Sequence, residues 1–234
     1  MTGNYKNLRS EYLVESDCLE AHLGDPNLVI VEVDAESSYK RGHVPGARSL
    51  HPDYERDPDS GWVSTMPPDR FAEVCKGLGI GDASQVVIYD NNMGLPATRL
   101  WWVLKRFGHP NVRILNGGWR TWLLEKRPVS FDEQTLPNSF SFTPRPDDSM
   151  LGVLDDVKMA CSLSDAVIWD VRTEGEYDGS VNRGNNRAGH IANAVHLEWS
   201  ELMDPATHLF KQDDEMREIL TAAGITPDKT AYAY

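Results

Sequence analysis

The chain is poor in cysteine, in positive charge and in long apolar runs, and each shortage closes off a class of function. Cys18, Cys75 and Cys161 are the only cysteines in 234 residues. They are odd in number and widely spaced, and none stands in the C-x-x-C or Cys/His spacing that binds zinc. Neither a disulfide framework nor a metal site is therefore expected. Nothing beside any of them would depress a thiol pKa, so all three are read as small apolar residues on helices rather than nucleophiles. Cys75 is the clearest case, because Phe71, Val74, Cys75 and Leu78 fall at helical spacing on one stripe. No apolar run approaches the roughly 20 residues of a bilayer span, and the opening MTGNYKNLRSEYLVES lacks the features of a signal peptide. A cytoplasmic protein is expected. Lys and Arg total 23 against 36 Asp and Glu, a formal charge of -13, so neither nucleic acid nor an anionic membrane surface is expected as a partner.

What the chain does have is 40% apolar residues, enough for one large or two ordinary domains, and a large internal repeat. The first copy reads as a helix at Ser16–Leu23, an apolar strand at Leu28–Asp34, a turn segment YKRGHVPGARSL, a helix at Pro68–Leu78 and a strand at Gln85–Asp90. It continues through NNMGLPATR into a helix opened by Pro96 and closed by Gly108, with Leu100, Trp101, Val103, Leu104 and Phe107 on its inner face. A short strand VRIL and the helix GGWRTWLLEK follow. Short apolar strands alternating with amphipathic helices predict an α/β domain with a mainly parallel sheet covered on both faces.

Residues 127–148 carry four prolines and little periodicity, which predicts an extended linker. The expected organisation is thus a first domain at 1–126, a linker at 127–148 and a second domain at 149–234. In the second copy a helix at Leu154–Cys161 leads to AVIWDVR, which matches LVIVEVDA with Asp170 opposite Asp34. AGHIANAVHL then matches RGHVPGARSL with His190 opposite His43, after about ten extra residues, GSVNRGNNRA. Asn193 stands where the first copy has Gly46, a position open to Asn because Asn tolerates positive φ. Tyr89 follows Gly79 by ten residues and Tyr234 follows Gly224 by ten, so Tyr234 aligns with Tyr89. On this register the second domain is expected to be incomplete, with roughly 40 residues missing relative to the first.

The strand ends IVEVDA and IWDVR, the two G-H-[VI]-x-x-A turns, LGIGDASQVVIYD and RILNGGW together resemble the rhodanese family, in tandem over nearly the whole chain. The resemblance implies two rhodanese domains. The first is catalytically silent, because Asp90 takes the place of the nucleophile. The second carries its catalytic cysteine directly after Tyr234, so that no catalytic residue lies within the chain itself and the chain alone would be inactive. It further implies a sulfurtransferase without cofactor, which accepts sulfur from a small anionic donor such as thiosulfate or 3-mercaptopyruvate. A cysteine persulfide then passes the sulfur to a thiol or to cyanide.

Eight residues are candidates for the substrate cleft: Arg172, Glu176, Arg183, Arg187, Trp199, Asp90, Asn91 and Asn92. Arg172 could orient substrate or pair internally with Asp170, and the internal pair is favoured. Glu176 lies near the place where vertebrate-type family members carry a substrate-binding arginine, which puts a thiosulfate donor in doubt. Arg183 and Arg187 could return that positive charge. Asp90, Asn91 and Asn92 could contact a facing domain or simply cap their loop. His43 and His190 are read as rings that bond backbone, and Trp101 and Trp102 as core. Two other classes compete: a non-catalytic rhodanese-like binding module, and a phosphatase on the same fold, against which the silent first copy argues.

Overall fold

The computed structural model describes residues 11–55, 66–134 and 140–234. They fall into two compact units, Met1–Asp148 with Thr207–Leu209, and Ser149–Ala206 with Phe210–Tyr234.

The first unit holds a five-stranded sheet of β1 (Leu13–Val14), β2 (Leu28–Val33), β3 (Ala47–Leu50), β4 (Gln85–Tyr89) and β5 (Val112–Leu115), in the order β1-β5-β4-β2-β3. Every pairing is parallel, as the apolar strand runs require. The helices are α1 (Ser16–Ala21), α2 (Glu36–Tyr39), α3 (Pro68–Gly77), α4 (Leu95–Arg106) and α5 (Gly118–Leu124). Side chains alternate across the sheet. Ile30, Val87, Tyr89 and Leu115 pack with Trp122 on one face. Phe71 of α3 meets Phe107 at 4.9 Å between ring centres and Phe142 at 6.1 Å in a separate aromatic cluster. Each such fully buried side chain contributes about 1.5–3 kcal/mol. Leu100, Val103, Leu104 and Phe107 are buried as the helical stripe predicts, whereas Trp101 and Trp102 are only half-buried. The Trp101 indole N–H donates to the Val112 carbonyl at 3.2 Å, and its ring meets Tyr12 edge to face at 5.5 Å between ring centres.

The proline-rich stretch is extended, and its described parts are packed on the first unit. Ser130 forms an antiparallel bridge with His43, Phe142 is buried, the Arg145 amide donates to Phe107 O at 2.8 Å, and Arg106 pairs with Asp148 at 2.7 Å.

The second unit holds α6 (Leu154–Ala160), β6 (Ala166–Asp170), α7 (Glu174–Asp178), β7 (Val195–His196), α8 (Asp213–Ala222) and β8 (Thr230–Ala233). Its strands are parallel in the order β7-β6-β8, which repeats β3-β2-β4 of the first sheet. The repeat extends to side chains. Tyr39 stacks on His43 with ring centres 3.8 Å apart, and Tyr177 on His190 at the same distance. His43 Nδ1 donates to Tyr39 O at 2.9 Å and His190 Nδ1 to Tyr177 O at 2.8 Å. The tyrosine hydroxyls donate to Ala47 O and Ala194 O. Asn193 takes the left-handed conformation at φ 63°, where Gly46 has φ 81°. The two copies differ in how β4 and β8 are covered. Val86 to Tyr89 of β4 are buried between β2, β5 and α4, while Ala231 and Ala233 of β8 are exposed.

One alignment drawn from the sequence is displaced by two residues. The partner of Asp170 in the first copy is Glu32, because Glu32 lies opposite Tyr89 in the β2–β4 ladder and bonds its hydroxyl, as Asp170 bonds Tyr234. Asp34 corresponds to Arg172. Matching aspartate to aspartate misled, since what the fold preserves is the inward-facing position of the strand.

Glu32 is buried and accepts from the Tyr89 hydroxyl at 2.5 Å. Burial pushes its carboxyl up to about 7, against the pull of that hydrogen bond, with Asp34 and Asp90 adding to the rise. A folded-state value above the unfolded one gives stability that is fully present below the unfolded value near 4.5 and is lost as pH rises through about 7. Glu32→Gln is therefore expected to remove a destabilisation on the order of 3 kcal/mol at pH 8.5 while changing little at pH 4.5. Urea unfolding of both proteins at the two pH values measures it, and an equal difference at both would refute it.

Candidate functional site

The chemistry collects where β4 and β6 reach their carboxyl ends. In the first unit the chain leaves β4 at Asp90, passes Met93 at φ 53° and Gly94 at φ 83°, and enters α4 with Pro96 in its first turn. These turns point several amides at one place, and the Asp90 side chain fills it. Its Oδ1 accepts from the amides of Asn92 at 2.7 Å and Gly94 at 2.9 Å, and its Oδ2 from Ala97 at 2.8 Å. The carboxyl is buried. Burial pushes it above its ordinary value, and the three amide bonds pull the other way. This is an anion cradle of loop and helix N-terminal N–H groups whose occupant is built in. The Asn91 and Asn92 side chains are exposed. The loop is seated from below by Gly118, where an added Cβ would come within 2.4 Å of Asp90 O.

In the second unit the β6 end carries Asp170, fully buried, and Arg172. Arg172 donates from Nε to Asp170 Oδ1 at 2.9 Å, and from Nη2 to Oδ2 at 2.6 Å and to Gly189 O at 3.0 Å. The Tyr234 hydroxyl donates to Asp170 Oδ2 at 2.7 Å and accepts from the Ile191 amide at 2.9 Å. Burial pushes Asp170 up, but the bonds from Arg172 and Tyr234 outweigh it and hold the carboxyl below its usual value. Glu176, on α7, accepts from the Thr173 hydroxyl at 2.9 Å and pairs with Arg183 at 3.0 Å. Arg183 belongs to the added loop, and its side chain is 65% exposed. Arg187 in the same loop is also exposed, and Trp199 is half-buried with its amide on Val171 O at 3.1 Å.

The fold thus joins Arg172 to Asp170 and Glu176 to Arg183, and places Asp90 with the Asn92 amide in the other unit. Sequence reasoning passed over Glu32, Tyr177 and His196. Glu32 was signalled by a charge inside the apolar run LVIVEV. Tyr177 lies stacked between His190 at 3.8 Å and His196 at 4.6 Å, and His196 Nε2 donates to Arg172 O at 2.8 Å. No spacing in the sequence signals that stack. Cys75 is fully buried and burial pushes its thiol up to about 12, and Cys18 is raised by burial as well. Among the described residues no group of three or more His, Cys, Asp or Glu could hold a metal, and no helix is long and apolar enough to cross a membrane.

The family described as Rhodanese-like domain matches residues 15–125. The sulfur carrier protein TtuD of Thermus thermophilus is 32% identical over 236 residues, spanning 96% of this chain and 82% of that protein. The chain belongs to the rhodanese family. A Mycolicibacterium smegmatis rhodanese relative, named "Putative thiosulfate sulfurtransferase", is 31% identical over 97% of this chain and 83% of its own length. Among solved structures, the 3-mercaptopyruvate sulfotransferase SseA of Escherichia coli superposes with a TM-score of 0.84 at 26% identity, covering 96% of this chain and 88% of SseA. Sulfur carriage and transfer is what these rhodanese relatives are named for.

Removing the built-in anion tests the cradle. Asp90→Ala leaves three amides without their acceptor and is expected to lower stability by about 2–4 kcal/mol, with part of the loss regained in sulfate. Denaturant titration with and without sulfate measures both, and a loss under about 0.5 kcal/mol would show that water replaces the carboxylate freely.

Proposed function

We propose that the protein is a sulfurtransferase that carries sulfane sulfur as a persulfide on a cysteine directly following Tyr234. The observation that supports this reading is the place of Tyr234. It stands to β6 as Tyr89 stands to β2, with its hydroxyl on a strand carboxylate and on a turn amide. The next residue would then fall where Asp90 falls in the first unit, at a strand end feeding a loop of inward amides. A thiol in such a setting ionises near neutral pH.

The chemistry balances without a cofactor. The thiolate attacks the sulfane sulfur of the donor, forming a sulfur–sulfur bond. Thiosulfate releases sulfite with the electron pair of its broken S–S bond; 3-mercaptopyruvate breaks its C–S bond and leaves as the enolate of pyruvate, which takes up a proton. A thiolate or cyanide then attacks the outer sulfur, and the cysteine leaves as thiolate. Arg183, presented on Glu176, and the exposed Arg187 are the cations proposed to meet the anionic donor. The first unit, with Asp90 in its cradle, takes no part in carrying sulfur. Its setting is proposed to be the cytoplasm, with small molecules as donor and acceptor, and neither nucleic acid nor membrane as partner.

A sulfur-carrying module without turnover is the second reading, favoured by the name of TtuD. Serine in place of the cysteine after Tyr234 is expected to abolish thiosulfate:cyanide and mercaptopyruvate turnover, and Cys18→Ser to leave both unchanged. Turnover that survives the first substitution, or another residue type at that place, would overturn the persulfide reading.

A further inference from the structure

Tyr234 is held at four points. Its amide donates to Trp169 O at 3.0 Å and its carbonyl accepts from the Val171 amide at 3.1 Å. Its hydroxyl donates to Asp170 at 2.7 Å and accepts from the Ile191 amide at 2.9 Å. Asp170 is in turn gripped bidentately by Arg172, whose Nη2 continues to Gly189 O, and whose guanidinium carbon lies 5.0 Å from the centre of the Tyr234 ring. One arginine therefore ties together the end of β6, the Gly189 turn and the tyrosine. The first unit repeats the tyrosine hydroxyl, on Glu32 at 2.5 Å and the Val44 amide at 3.0 Å, but not the arginine. Asp34 stands in that place, and the Asp34 and Asp90 carboxylates add to the upward shift of Glu32.

We infer that Asp170 and Arg172 are positioning residues for sulfur transfer, acting through Tyr234 to fix the residue that follows it. The inference rests on the sulfur-transfer reading above. It explains why the two copies share the tyrosine and differ in the arginine: only the second is proposed to hold a reacting atom. The Cα after Tyr234 lies about 3.8 Å along the chain, so whatever fixes Tyr234 fixes that atom's start. An ionised carboxylate makes a shorter and stronger hydrogen bond than a neutral acid. The planar fork of arginine fixes the carboxylate's orientation, which the single point charge of lysine does not. Displacing a reacting atom by 1 Å costs on the order of a hundredfold in rate.

The test uses the protein expressed from its own reading frame, with Arg172→Lys and Tyr234→Phe as probes and Tyr89→Phe as the matching change in the silent copy. The readouts are kcat, donor KM and the pH profile of thiol alkylation by iodoacetamide. Both probes are expected to lower kcat by about tenfold to a hundredfold with KM held within about twofold, and to move the alkylation midpoint to higher pH. Tyr89→Phe leaves all three in place. If Tyr234→Phe does not fold, Arg172→Lys decides alone, because it keeps the charge: unchanged kcat and alkylation midpoint there overturn the inference. An unmodified protein without cysteine-dependent turnover would sink the sulfur-transfer reading itself, a result distinct from an active protein indifferent to Arg172→Lys.

Discussion

In both units a tyrosine at the end of one parallel strand reaches across to a carboxylate on its neighbour and accepts the amide of a Gly-His turn. That hydroxyl closes three segments that lie far apart in sequence: the strand bearing the acid, the turn after the Tyr-His stack, and the strand that carries the tyrosine. A buried polar group needs partners, and here each partner is itself fixed by backbone pairing, so the group is satisfied in one arrangement only. In the first unit the loop that begins at Asp90 starts from this junction.

The two copies then diverge by charge rather than by shape. At the first junction the Asp34 and Asp90 carboxylates push Glu32 up and Asp34 pushes Asp90 up, adding to burial, which raises both. At the second, Arg172 neutralises Asp170 and keeps it ionised. Asp90 also seals its own cradle, spending three amides on its own side-chain carboxyl. A copy arranged this way has no vacancy for a negatively charged donor, which gives the silence proposed for it a physical basis beyond the lack of a thiol.

The periodicity of LVIVEV, QVVIYD and VRIL, with the helical stripes at 68–78 and between Pro96 and Gly108, was sufficient for a parallel α/β unit, because strands buried on both faces must be apolar throughout. The repeat and its Gly-His turns were likewise legible, as was the tolerance of Asn193 for positive φ. Half-burial of Trp101 and Trp102 was not, since a helical stripe says which face turns inward but not how much of a large ring the neighbours cover.

The sequence alone determined the family, the tandem arrangement and the equivalence of Tyr89 with Tyr234, because each rests on local pattern and on order along the chain. Tertiary structure alone decided which acid answers which. Asp170 corresponds to Glu32 and Arg172 to Asp34, since side-chain equivalence in a sheet follows the face a residue presents and the strand it meets. Only the folded chain could bring Arg172, Asp170, Gly189 and Tyr234 to a common point, for those contacts span up to 64 positions of sequence and no local spacing encodes them.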